Sequence, residues 1–216
     1  MKKTIMLILA IILMVPAAVN AENKELQKAL KKEYKNKMKE YKKNKWELFG
    51  SSRTLDVALL QHYDKLNTMG EDAREVVGIS SRFKSKNIGH QAAENNACAT
   101  YAKQAGSHVK GRMVSDITSN GSDTSAEFDH FYAAYERLVE KEIKGEMTES
   151  YSIIRCLNPK AKEADREYEM QTFFIVNESA ASKARIRAME DAMKESQAAQ
   201  EYAKKVSDFV KEGFQN

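Results

Sequence analysis

The sequence predicts an α+β fold: a small, mostly antiparallel sheet covered on one face by helices, with long helices at the N- and C-terminal ends. Three observations carry this. Val76-Val77-Gly78-Ile79-Ser80-Ser81-Arg82-Phe83 is short, rich in β-branched residues and bounded by charges, as a strand is. Glu149–Leu157 and Glu167–Val176 are two further strand-like runs joined by Asn158-Pro159 and a charged loop, which reads as a β-hairpin with a long connection. Most of the rest repeats apolar residues every three to four positions, the period of a helix. A chain of 216 residues that is 42% hydrophobic and has two prolines can bury a core and is not disordered.

Taken in order, Lys2-Lys3 precedes eleven apolar residues, Ile5 to Val15, and then Pro16 and the small residues Ala17-Ala18-Val19-Asn20-Ala21. This is the pattern of a secretory signal peptide cleaved after Ala21. Eleven residues fall short of the roughly 20 that span a bilayer, and no later run approaches that length, so the processed chain is not expected to be transmembrane. Residues 22–70 form an N-terminal helical arm, basic to about residue 47. Between 22 and 47 stand ten lysines and five glutamates, while residues 48–216 carry a net −3. Leu26, Leu30, Tyr34, Met38 and Tyr41 give that helix a narrow apolar stripe. Its lysines, Lys28, Lys31, Lys32, Lys35, Lys39, Lys42 and Lys43, form a contact surface for an anionic envelope surface or an acidic partner, or else a solvated face whose stripe docks on the chain's own C-terminal helix. Clustered arginines are absent, and no nucleic acid is expected as a partner.

Ser51 to Met69 is a second helical piece, ended by Gly70. Residues 71–177 form the α+β domain. After the strand, Ile88 to Val109 is a helix with small residues at Ala92, Ala99, Ala102 and Gly106 on one face, flat enough to let a sheet come close. Residues 111–123 could extend that helix or form a short strand. Thr124 and Glu127 are spaced as a capping box for a helix carrying Phe128, Phe131, Tyr132, Tyr135, Leu138, Val139 and Ile143. In the second hairpin strand Tyr168, Met170, Thr172, Phe174 and Val176 share one face, which should pack on the helices. Asn177 caps a last helix expected to run unbroken from Glu178 to about Glu212, near 50 Å long at about 1.5 Å per residue, within a C-terminal region 178–216.

The chain has no H-E-x-x-H, C-x-x-C, P-loop, G-x-S-x-G or G-x-G-x-x-G motif, and its histidines, His62, His90, His108 and His130, have no ligand at metal-site spacing. No cofactor, metal or catalytic residue is expected. Export gives the two cysteines two readings. Cys98 and Cys156 either bridge, which would stabilise by about 4 kcal/mol on the chain-entropy model, or stand as separate thiols that behave as small hydrophobes.

Val77-Gly78, the Ala92/Ala93, Ala97, Ala99 and Ala102 helix, the segment from Tyr135 to Ile143-Lys144-Gly145 and the Tyr168–Val176 strand resemble the Lpp-twenty-type bacterial envelope lipoprotein domain, which also recurs in a flagellar assembly protein. The resemblance covers about residues 72–177 and implies an α+β envelope domain without catalytic residues. The chain departs from that family in lacking a lipid-bearing cysteine after the cleavage site. Trp46–Ser52 and Asn177–Met189 are also similar to exported proteins of gut-type anaerobes that carry no assigned activity. The expectation is therefore a periplasmic or envelope-associated protein that acts by binding an envelope partner or surface, with self-association through the arm open. The alternative is a periplasmic small-ligand carrier or hydrolase with a pocket between the sheet and helix 124–144.

Overall fold

The computed structural model describes residues 28–117 and 125–213; the Ala21 cleavage site and the Thr124 cap lie outside them. The chain divides into two compact units, Met1–Lys45 and Trp46–Asn216. In the first, helix α1 spans residues 28–43. The second holds β1 (Glu47–Phe49), α2 (Leu55–Met69), a 3-10 turn (Gly70–Asp72), β2 (Ala73–Phe83), α3 (Lys86–Ile117), α4 (Ser125–Ile143), β3 (Met147–Cys156), β4 (Tyr168–Asn177), α5 (Glu178–Met193), α6 (Gln197–Glu201) and α7 (Ala203–Glu212). α2 therefore belongs with the sheet and not with the basic arm, as a boundary at residue 70 would have had it.

The four strands form one sheet in the order β1-β3-β4-β2, every pair antiparallel. The predicted hairpin is β3–β4, with Tyr151 opposite Phe173 and Ser152 opposite Thr172. Asn158 closes its long loop: the side chain donates to the Asp165 carbonyl at 3.0 Å and accepts from the Glu167 N–H at 2.7 Å. The backbone groups of the turn are thus satisfied without a tight type I′ or II′ connection.

Because side chains alternate along a strand, the register sorts the sheet into two faces. Val76, Phe174 and Val176 join Ala97, Cys98, Tyr101 and Ala105 of α3 and Phe131, Tyr135 and Val139 of α4 in the main core. Tyr151, Phe173 and Ile175 point the other way, where α2 covers β2 and β3 with Ala58, Leu59 and His62 buried. Helices on both faces correct the one-face expectation. The signal lay in β4, whose Phe173, Phe174, Ile175 and Val176 form a continuous apolar run, the pattern of a strand buried on both sides.

The flat side of α3 also serves two neighbours. The sheet is met by Ala93 and Ala97 beside Gly78, whereas a side chain at Gly106 would meet Glu136 of α4. Ala92 and Ala99, predicted on the sheet face, are only half-buried.

The unbroken C-terminal helix does not form. α5 begins as expected, the Asn177 side chain accepting from the Ala180 N–H at 2.8 Å, but it ends at Met193. Buried Ser196 then caps a new start by accepting from the Ala199 N–H at 3.1 Å, and Gln200 donates to the Met193 carbonyl at 3.0 Å. α7 packs against α5 and α3, with Val206 and Val210 in the main core. A straight 35-residue helix would have carried those valines past the end of the sheet; the break returns them to apolar contact.

The cysteines are free thiols. Cys98 Sγ lies 3.6 Å from Met147 Sδ at the start of β3, while Cys156 ends the same strand beside Asn158. Nine residue steps of about 3.3 Å put those two ends roughly 30 Å apart, far beyond disulfide reach. Burial pushes the Cys98 thiol above its ordinary pKa. A maleimide should therefore label Cys156 alone in the native protein and both thiols after unfolding without reductant. Intact mass would read the two additions, and an unlabelled unfolded chain would reveal a bridge.

Candidate functional site

A cleft of about 800 Å³ opens where the 3-10 turn, the start of β2, the start of α5 and the end of α7 meet. Glu178 organises its floor. It is the first residue of α5, where a carboxylate complements the helix dipole, and Arg185 follows seven residues later on the same face, two turns along. Arg185 Nη1 donates to Glu178 Oε2 at 2.6 Å, and Arg74 Nε of β2 donates to Glu178 Oε1 at 2.8 Å. Tyr101 of α3 completes a relay: Arg185 Nη1 also donates to the phenol oxygen, whose hydroxyl donates to Glu178 Oε2 at 3.3 Å. One carboxylate is thus shared by two guanidiniums and a phenol from three other points of the fold.

Arg185 is only 4% exposed. Burial works against its charge, yet Tyr101 and Glu178 outweigh it, and its pKa ends above the ordinary value. Burial likewise drives the Tyr101 phenol up, so it stays protonated. Arg185 thus keeps its charge and Tyr101 its proton near neutrality. Closer to the rim, Ser179 Oγ donates to Asp72 Oδ1 at 2.7 Å, while Glu71, Ser182 and Lys211 complete the polar lining. Such a site can bind, orient and neutralise charge.

Two histidine clusters assemble elsewhere. His62 sits between Ser150, whose Oγ is 3.0 Å from Nδ1, and Glu75, whose Oε2 is 2.5 Å from Nε2. Hydroxyl, imidazole and carboxylate are the parts of an acyl-transfer site, but the imidazole is 1% exposed and packed edge-on against Tyr151 at 5.2 Å. A ring so enclosed cannot reach a substrate, and the cluster instead pins α2 across β2 and β3. On the α3 face, His90 Nε2 lies 3.0 Å from Glu149 Oε2, and Ser152 Oγ donates to Glu149 Oε1 at 2.6 Å and lies 3.0 Å from Thr172 Oγ1. The bulge at Ser150 explains how Ser150 and Tyr151 both reach His62 on one face while Glu149 and Ser152 meet on the other. No group of three metal-ligating side chains occurs among the described residues.

The sequence placed the ligand pocket between the sheet and helix 124–144. That space is filled: Phe128, Phe131, Tyr132, Tyr135, Val139 and Ile143 are all core residues. On α1 the predicted contact lysines, Lys28, Lys31, Lys32, Lys35, Lys39, Lys42 and Lys43, are all exposed, while Leu30, Tyr34 and Met38 are half-buried and Tyr41 is buried. The cleft was missed because its residues are far apart in sequence. The spacing of Glu178 and Arg185 on one helix face was its only local trace. No helix among the described residues is long and apolar enough to cross a membrane. No family model, no curated protein and no solved structure matches the chain.

Proposed function

We propose that this chain is an exported, envelope-associated protein that works by binding, and that α1 is the part that touches an anionic envelope surface. The observation that carries the reading is a set of seven exposed lysines on one helix whose apolar stripe, Leu30, Tyr34, Met38 and Tyr41, is half-buried to buried. The charge pattern supports it too, because the net positive charge is concentrated in residues 22–47 and the rest of the processed chain is slightly acidic. The amino-terminal pattern ending at Ala21 supports export, and the resemblance of residues 72–177 to the Lpp-twenty-type domain supports an envelope setting without catalytic residues.

Juxtamembrane lysines contribute about 1 kcal/mol each near an anionic bilayer. The processed protein should therefore sediment with vesicles containing anionic lipid and not with neutral ones. Binding should weaken as salt shortens the Debye length, which is about 8 Å at physiological ionic strength. Changing Lys28, Lys31, Lys35 and Lys39 to glutamine should cost at least ~100-fold in affinity, with thermal stability unchanged. Equal sedimentation with neutral vesicles, or none with either, would remove the reading. Analytical ultracentrifugation of the same samples reports whether the arm also drives self-association.

A further inference from the structure

We propose that α1 docks on the headgroup phosphates of an anionic bilayer through a single arc of lysines and does not enter the acyl chains. The inference rests on the reading of α1 as the surface-binding helix. It adds which side of the helix makes the contact and which layer of the bilayer that side fits.

Helical geometry selects the side. Successive residues turn by about 100°, so Lys31, Lys32, Lys35, Lys39, Lys42 and Lys43 fall within an arc of about 120° that runs about 18 Å along the axis. All six are exposed, and none forms an ion pair among the described residues. No carboxylate interrupts the arc, because Glu33 and Glu40 lie beyond its edge. A ridge of one charge sign along a helix complements a plane of phosphates. Two further observations fix the mode of contact. The apolar stripe, Leu30, Tyr34, Met38 and Tyr41, is centred about 120° round the helix from the lysines, and it is half-buried to buried. A helix that inserts lays its apolar side into the acyl boundary. On α1 that side is already covered and is turned away from any plane the lysines meet. Lys37 supplies the second observation. It projects opposite the arc, where its ammonium pairs with Glu40 Oε2 at 3.3 Å and lies 5.4 Å from the Tyr41 ring centroid. The helix thus separates a docking set of lysines from one engaged on its far side. Lysine is a hydrated point charge without a fixed fork, so the arc responds to surface charge and not to the identity of the headgroup.

The test is sedimentation of the processed protein with vesicles of phosphatidylcholine mixed with phosphatidylglycerol or with phosphatidylserine at equal charge, each in fluid and in gel-phase acyl form. Soluble polyphosphate is a separate titrant. Affinity should agree within ~2-fold across the four anionic vesicles, because the contact stops at the headgroups. Lys35→Gln and Lys39→Gln should each weaken binding ~5-fold, whereas Lys37→Gln should bind like the unaltered protein. None of the three removes more than a surface ion pair, so the melting temperature should not move. Binding that collapses in the gel phase, or a Lys37→Gln loss as large as that of Lys35→Gln, overturns the proposal and leaves the surface-binding reading of α1 standing. Failure to bind any anionic vesicle removes both, and binding to polyphosphate alone would assign the arc to a soluble polymer.

Discussion

Gly78→Ala is expected to destabilise the protein by about 3 kcal/mol or more, a large share of the roughly 5–15 kcal/mol that holds a typical domain folded. An ideal Cβ at Gly78 would lie 1.8 Å from the Ala93 carbonyl oxygen, 2.8 Å from its carbon and 3.0 Å from the Ala97 Cβ. Two of those three atoms are helix backbone, which cannot rotate aside as a side chain can. Relief requires α3 to lift from β2, and that interface carries the main core through Val76, Ala97, Cys98 and Tyr101. Gly111→Ala on the same helix is the control. Among the described residues nothing outside the helix's own turn lies within 4 Å of the added methyl, so the change should gain about 0.5–1 kcal/mol from helix propensity alone. Urea unfolding followed by circular dichroism separates the two. A Gly78→Ala protein within ~0.5 kcal/mol of the parent would show that α3 does not sit on the sheet as described.

That contact was partly legible in the sequence. The small residues of α3 announced a close approach, and β2 and the β3–β4 hairpin were read from alternation and flanking charges, all signals that live within about ten residues. What failed depended on distance in the chain. His62 is an ordinary helical residue until Glu75, Ser150 and Tyr151 gather round it, so nothing local assigns α2 to the second face. The C-terminal break was hidden because Lys194-Glu195-Ser196 contains no glycine or proline. Helix propensity there is adequate, and the gain from returning Val206 and Val210 to the core overrides it. Cys98 and Cys156 looked bridgeable because sequence gives their separation along the chain and not along β3.

The functional surfaces divide in the same way. The lysines of α1 needed only helical periodicity and were found at once, whereas the cleft needs the first turn of α5, the start of β2, the middle of α3 and the end of α7 together. Glycine is the least informative residue in such a case. Gly213 reads as a chain-end helix stop, and only the fold shows that it leaves room beside Arg185.

Arg185→Met is expected to cost about 3 kcal/mol, and the way that cost combines with a second substitution tests the network. Removing the cation leaves a cavity in the main core side of α5 and takes one guanidinium from Glu178, which is 17% exposed and keeps Arg74 and the Tyr101 hydroxyl. Breaking one partner of a largely buried pair strands the other, which is why the cost exceeds that of an exposed ion pair. Glu178→Gln alone should be comparably harmful, because it leaves Arg185 charged and 4% exposed beside a neutral amide. The double variant removes the buried charge pair altogether, so it should be more stable than the sum of the single losses by at least ~1 kcal/mol. Arg187→Met with Glu142→Gln is the comparison cycle. That pair, at 2.8 Å, is equally close but half-exposed on the arginine side, and its coupling should fall within ~0.5 kcal/mol of zero. Additive losses in the Arg185–Glu178 cycle would mean that the two charges do not depend on each other.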